Sequence, residues 1–343
     1  MPRKTTLKDI ANATGVHVST VSRALNPNLS KSLTAEVVER VRAAASEMGY
    51  RPNRLASGLR TNRTMSIGIM LPDITNTLFP PIVRGAETVL EARGYTSIIV
   101  NTDGDADRAA RMLGVLLERG VDGIIDAAVE RHDPLMEDAI KSLPVVTANR
   151  RVEQPSLPSA TNDDAAGVAS IVNHLVDMGH RQIAHIAGPQ ELSTGKTRLN
   201  AFLHAAKARG LNIPQSAIQY AVRFEEEEGR RCTKALLDSG AAFTAIACAN
   251  DGIAIGAIDA MRSAGLSCPD DISVTGFNDM PFLDRIPPAL TTVRVQQFEV
   301  GRVAAKLLLE LIDAPDTPTK NEVLPVELIK RDSVAPLNAE QGN

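Results

Sequence analysis

From residue 65 to about residue 335 the chain alternates short apolar runs with amphipathic stretches, and this alternation limits the fold more than any other feature. The runs are "SIGIML", "TSIIVN", "DGIIDAA", "PVVTAN", "QIAHIAG", "AIQYAV", "TAIACAN" and "ISVTGF". Strand-length runs separated by helical patterns imply βαβ units and parallel sheets. More runs are present than one compact sheet needs, so two α/β lobes are expected. In such folds ligands sit beyond the carboxyl ends of the strands.

The 343 residues fit two or three domains. The net charge of −4 hides an asymmetry. Residues 1–64 hold 11 Lys or Arg and 4 Asp or Glu, a balance of +7, which leaves −11 for the remainder. A basic head on an acidic body suggests a polyanionic partner for the head. A solvated basic tail is the plainer reading, but it does not fit a segment patterned like a folded domain. Cys232, Cys248 and Cys268 lack metal-ligand spacing and read as reduced thiols. No apolar run is long enough to span a bilayer, and "MPRKTTLKDI" has no apolar export core, so a cytoplasmic protein without membrane attachment is expected.

The head pattern covers residues 1–50. Thr6 can cap a first helix, Asp9 can bond back, and Gly15 can end it. In "HVSTVSRALN", Val21, Ala24 and Leu25 share one side of a second helix over about Val18 to Asn26. Val18, Ser19, Ser22 and Arg23 lie largely away from that side. A third helix from near Thr34 places Val37, Val41, Ala44, Ala45 and Met48 on one face and stops at Gly49. Two short helices about a glycine turn, braced by a third, describe a helix-turn-helix. The outward hydroxyls and arginine suit base edges and phosphates of a major groove.

Residues 51–64, "RPNRLASGLRTNRT", set Leu55 and Leu59 among Arg51, Arg54, Arg60 and Arg63. Such a segment is either a flexible basic tether or a weak helix that folds on DNA and wedges a leucine into the minor groove.

"TLKDIANATGVHVSTVSRALN" and "MGYRPNRLASGLRT" together resemble the DNA-binding head and hinge of the LacI/GalR family of transcriptional regulators. The similarity continues in order through "IGIMLPDITNTLFPPIVRGAE", "ANDGIAIGA", "VTGFNDMPF" and "PPALTTVRVQ". The resemblance implies a DNA-facing set of Val18, Ser19, Thr20, Ser22 and Arg23 in the second helix. In the hinge it implies Asn53, Arg54, Ala56, Leu59 and Arg60, with Leu59 as the intercalating leucine. It implies an effector-binding and dimerisation body over 65–335 with a type I periplasmic-binding-protein fold, followed by a tail at 336–343. The first lobe is expected over about 65–162 and 293–320, the second over about 163–292 and 321–335, with crossings near Asn162, Val293 and Asn321. One departure is His17, where the family usually has a small polar cap. The start of the second helix is therefore expected to be less well capped, unless His17 meets a phosphate.

Polar residues at strand ends are the natural ligand contacts: Asp73, Asn149 with Arg150, Asn250 with Asp251, and Asn278 with Asp279. Each also suits a plain cap or turn, most readily Asp251 and Asp279. By resemblance Leu78 and Phe79 form one wall, Arg198 anchors the effector, Phe224 is an aromatic platform, and Asn250 and Asn278 bond the ligand; Thr194 completes the expected set. Asn278 stands where many sugar-sensing relatives have Asp, and Leu192 where purine-sensing ones have Arg, which argues against a purine. With Arg150 and Arg198 present and one acid absent, a sugar, sugar acid or sugar phosphate is expected.

Three apparent motifs fall short. "STGKT" at 193–197 has Gln190 where a P-loop needs its first glycine, although Lys196 is placed to face the cleft. "DGDADR" at 103–108 has Arg108 and Gly114 where a calcium loop needs Gly and Glu. His180 and His185 have no clear third ligand. No catalytic set, cofactor or metal is expected. A sugar-binding protein without a DNA role, or a nucleotide-binding enzyme using "STGKT", are the competing readings. The favoured one is a homodimeric, effector-responsive repressor of carbohydrate or sugar-acid genes, bound to palindromic operator DNA.

Overall fold

The computed structural model describes residues 5–25, 30–50 and 63–337, with the backbone alone for Lys31. The chain divides into two units, Met1–Thr64 and Met65–Asn343. The first holds α1 (Leu7–Thr14), α2 (Val18–Leu25) and α3 (Ala35–Glu47). Thr6 and Asp9 form a reciprocal capping box at α1, and Gly15 closes it at φ 67°, a left-handed conformation that glycine takes without a Cβ clash. Ile10, Ala11, Val21, Ala24, Val41 and Ala45 meet as the core of this small unit. Met48, expected on the buried face of α3, is 36% exposed, because the helix ends at Glu47 and Met48 already serves as its cap.

The second unit carries two parallel sheets. The six-stranded sheet has the order β11-β5-β4-β3-β1-β2, from β1 (Ser66–Leu71), β2 (Thr96–Asn101), β3 (Gly123–Asp126), β4 (Val145–Ala148), β5 (Ser159–Asn162) and β11 (Asn321–Leu324). The four-stranded sheet has the order β7-β6-β8-β9, from β6 (Ile183–Ala187), β7 (Ile218–Tyr220), β8 (Ala245–Cys248) and β9 (Ser273–Thr275). A separate antiparallel pair joins β10 (Thr292–Arg294) to β12 (Glu327–Ile329). The last crossing, expected near Asn321, falls after Leu324: Asn321–Leu324 pairs in parallel with Ser159–Asn162 and so belongs to the first lobe.

Helices connect the strands. They are α4 (Phe79–Ala92), α5 (Ala106–Glu118), α6 (Pro134–Ser142), α7 (Asp164–Asp177), α8 (Ser193–Ala208), α9 (Glu226–Asp238), α10 (Asp251–Ser263) and α11 (Gln297–Asp313). Within each lobe two helices cross at backbone contact. A Cβ on Gly85 of α4 would stand 1.9 Å from the Phe298 carbonyl oxygen, and one on Gly301 of α11 would stand 1.9 Å from that of Ile82. Gly229 of α9 and Gly256 of α10 repeat the arrangement against Ile253 and Glu226. Among the described residues no helix is long and apolar enough to cross a membrane.

Candidate functional site

Two features stand out, one in each unit. On α2, Val21 and Ala24 are buried while Ser19 and Arg23 are exposed one turn apart, with Thr20 and Ser22 half-buried beside them. Val18 points less outward than its expected role requires, since it is half-buried against the core of the head. The helix start is capped after all. His17 Nδ1 accepts the Ser19 backbone N–H at 3.3 Å and lies 2.8 Å from Ser19 Oγ, so the imidazole takes the place of a short polar cap. The hinge residues Asn53, Arg54, Ala56, Leu59 and Arg60 lie outside the described residues.

In the second unit a cleft of about 680 Å³ opens between the lobes at the carboxyl ends of the strands. The first lobe contributes Asp73, Leu78, Phe79, Asn149 and Arg150, and the second contributes Thr194, Arg198, Phe224, Asn250 and Asn278. The topology thus brings the whole expected set to one place. Strands β1 to β4 and β6 to β9 each deliver residues beyond their carboxyl ends to the same rim, because both sheets are parallel.

The polar groups fall into engaged and open ones. Arg198 is 4% exposed and already held. Its Nη2 and Nε donate to Asp164 Oδ1 at 2.9 and 3.2 Å, its Nη1 donates to the Ala249 carbonyl at 2.7 Å, and its guanidinium lies 3.9 Å from the Phe277 ring centre. Asp164 is the acid that the sequence reading did not weigh; its only sign was a second aspartate after the α7 cap Asp163. Burial raises the Asp164 pKa, against the pull of Arg198. The Asn250 side chain caps α10 by accepting from Ile253 N at 2.9 Å and donates to the Phe224 carbonyl at 3.2 Å, so both its ends serve the fold. Asp251 and Asp279 are engaged as well. Asp251 accepts from Thr292 Oγ1 and Met280 N, and Asp279 pairs with Arg294 and Arg331. Asp73 accepts from the Thr75 backbone and hydroxyl.

Arg150 and Asn278 are the open ones. Arg150 is 9% exposed, its Nε has no partner, and its Nη1 reaches the Ala128 carbonyl at 3.4 Å. Burial lowers its pKa to about 10, which leaves it charged at neutral pH. The buried Asn278 Oδ1 has no partner either. The backbone at Asn149 and Asn278 is left-handed, with φ of 65° and 123°.

The lobes are tied across the cleft. Arg131 Nη1 donates to the Gln190 carbonyl at 2.7 Å, Arg131 N donates to that of Glu191 at 2.8 Å, and Arg151 N donates to Ser193 Oγ at 2.9 Å. The "STGKT" stretch is the start of α8, where Gly195 packs against the Pro189 carbonyl; Lys196 is exposed and does not line the cleft. In "DGDADR" Asp105 caps α5 through Arg108 N. His180 and His185 are both buried and hydrogen-bonded within the second lobe. Among the described residues no three His, Cys, Asp or Glu side chains are grouped to hold a metal.

A helix-turn-helix head on a two-lobed body with an interlobe ligand cleft defines a ligand-responsive DNA-binding regulator. Residues 6–53 match the model of bacterial regulatory proteins of the lacI family, and residues 172–334 match that of periplasmic binding protein-like domains. The HTH-type transcriptional regulator RegA of Clostridium saccharobutylicum is 34% identical over 96% of this chain and 99% of its own length. The ribose operon repressor of Escherichia coli K12 is 32% identical over 96% and 99%. The lac repressor dimer bound to operator and the anti-inducer ONPF superposes with a TM-score of 0.85 at 27% identity, covering 97% of this chain and all of that one. The chain belongs to the lacI family of bacterial regulatory proteins.

Proposed function

We propose that the protein is a homodimeric repressor that binds a palindromic operator in the cytoplasm and releases or grips it when a sugar-like effector occupies the interlobe cleft. The carrying observation is the union in one chain of a hydroxyl- and arginine-bearing outward face on α2 with an open interlobe cleft. Ser19, Ser22 and Arg23 read base edges in the major groove, with Thr20 and Val18 at the margin of the contact. Leu59, flanked by Asn53, Arg54, Ala56 and Arg60, wedges the minor groove. A dimer presents two heads to two half-sites. The relatives' names support the regulatory role: a ribose operon repressor, and a lac repressor dimer caught on operator. A lacI-family regulator from Enterococcus faecium with bound ribose, TM-score 0.68 at 30% identity over 80% of this chain, supports a sugar-like occupant. The test is selection of duplexes from a random library by the full-length protein, followed by footprinting with and without candidate effectors. Enrichment of an inverted repeat, protected in a ligand-dependent way, is the expected result; no enrichment over random sequence refutes the reading.

A further inference from the structure

A second, smaller cavity of about 200 Å³ lies beside the cleft, where the chain crosses between the lobes. The first lobe lines it with Arg151, Thr161 and Val323, the second with Asp164, Ser193 and Thr197. Asn162 ends β5 at the first crossing and also lines it; its Oδ1 accepts from Gln296 N, just past the second crossing, at 2.8 Å. Val323 stands just before the third. The salt bridge of Arg198 with Asp164 joins the two spaces, because Arg198 lines the cleft and Asp164 the cavity. Arg198 Nε and Nη2 both donate to Asp164 Oδ1, which leaves Oδ2 without a partner among the described residues.

Two side chains here are more than nine-tenths buried and keep unused hydrogen-bonding groups. Thr161 is 6% exposed, and its hydroxyl has no partner among the described residues; Asn162 is 8% exposed, and its Nδ2 has none. The Thr197 hydroxyl and the Arg151 guanidinium are unpaired in the same sense. The charges around the cavity cancel, Arg151 against Asp163 and Asp164 against Arg198. Of the lining residues only Ala165 and Val323 are apolar.

We propose that this cavity is a second ligand site, for a neutral polyol of three or four carbons, and that its occupancy is coupled to operator binding. One hydroxyl donates to Asp164 Oδ2 and accepts from Asn162 Nδ2 or Arg151, and another pairs with Thr161. Inorganic phosphate would meet Asp163 and Asp164, and an amine would meet Arg151. The space equals the liquid volume of roughly six waters, about the number of non-hydrogen atoms in so short a polyol. A ligand there touches both lobes beside the crossings, so it biases the angle between them. The coupling rests on the reading of the chain as an operator-binding regulator; the binding does not.

The test uses the full-length protein in glycerol-free buffer. The probes are glycerol and erythritol, with butane-1,4-diol, inorganic phosphate and ethanolamine for comparison. Binding is read by saturation-transfer NMR without DNA, because polyols raise melting temperatures merely by exclusion from protein surfaces. Glycerol or erythritol should bind roughly tenfold tighter than each comparison compound. Thr161→Val should weaken that binding about two- to tenfold. Ala165 is an exposed residue of α7 at the rim, so Ala165→Leu should fill the cavity, melt like wild type and abolish binding. Phe224→Ala, which alters the cleft alone, should leave polyol binding intact. No polyol binding, binding no tighter than that of the comparison compounds, or binding that survives Ala165→Leu overturns the site; so does loss of binding in Phe224→Ala. The bound polyol should also change affinity for the selected duplex in wild type and not in Ala165→Leu. Unchanged affinity in wild type overturns the coupling. A protein that selects no duplex at all fails as a regulator instead, and the binding measured without DNA keeps the two failures apart.

Discussion

Arg198 shows how a residue expected to bond a ligand also serves the fold. Its guanidinium neutralises Asp164 at 2.9 Å with both side chains nearly inaccessible. Removing one member of a buried pair leaves the other charged and unpaired, at a cost of about 3–5 kcal/mol. Arg198→Ala should therefore lower the unfolding free energy of the body by about that amount, and Asp164→Asn with Arg198 intact should also destabilise it. Chemical denaturation checks both. A variant as stable as wild type would show that the pair contributes nothing. His185 gives a pH signature. Its Nδ1 donates to the Ala247 carbonyl at 2.7 Å, its ring stacks on Phe202, and its Nε2 has no partner. Protonation would place a second, charged N–H where no acceptor waits, and burial lowers its pKa from 6.5 to about 4. The unfolded chain then binds the proton first. The stability that the neutral ring contributes is full above pH 6.5 and is lost as the pH falls from there through about 4. The melting temperature of wild type minus that of His185→Phe should be constant above neutrality and fall steadily below it. A constant difference down to pH 4 would contradict the assignment.

At the scale of elements, the crossing of α4 and α11 depends on two glycines. A methyl at Gly301 would overlap the Ile82 carbonyl oxygen at 1.9 Å, which backbone cannot evade by changing rotamer. Gly301→Ala should destabilise the body by about 1–3 kcal/mol, measured by denaturant melting; a neutral change would mean that the helices slide apart freely. Legibility also differs from element to element. The eight apolar runs all became strands: β1, β3, β4, β6, β8 and β9 are buried and apolar on both faces, while β2 and β7 lie partly exposed at sheet edges. β5, "SATN", escaped the same reading: it is fully buried, yet three of its four residues are polar, satisfied by neighbours such as Asn321 on Ser159 Oγ. β10, β11 and β12 are three or four residues long, too short to show a period. In the head, the α1 capping box was readable from Thr6 and Asp9 three apart, whereas the His17 cap was not, because a histidine seldom takes that position. The cleft was legible as a set of strand-end residues. Which of its groups are engaged was not, since Asp164 and Ala249 reach Arg198 across 34 and 51 residues of sequence.

For the whole molecule, the division of charge follows the division of labour. The first 64 residues carry +7 and the rest −11, so the acidic body disfavours contact with DNA except through its basic head. Each phosphate neutralised by the head releases condensed counterions, and affinity must fall as salt rises. The reading of the molecule as a regulator rests on this contact before any effector is considered. It is tested by the affinity of full-length protein for its selected duplex, measured by fluorescence anisotropy between about 50 and 200 mM salt. Log affinity should fall linearly and steeply with log salt, and Arg23→Ala should weaken binding to the selected duplex more than to random DNA. A flat salt response, or equal affinity for selected and random duplexes, would contradict sequence-specific DNA binding by this chain.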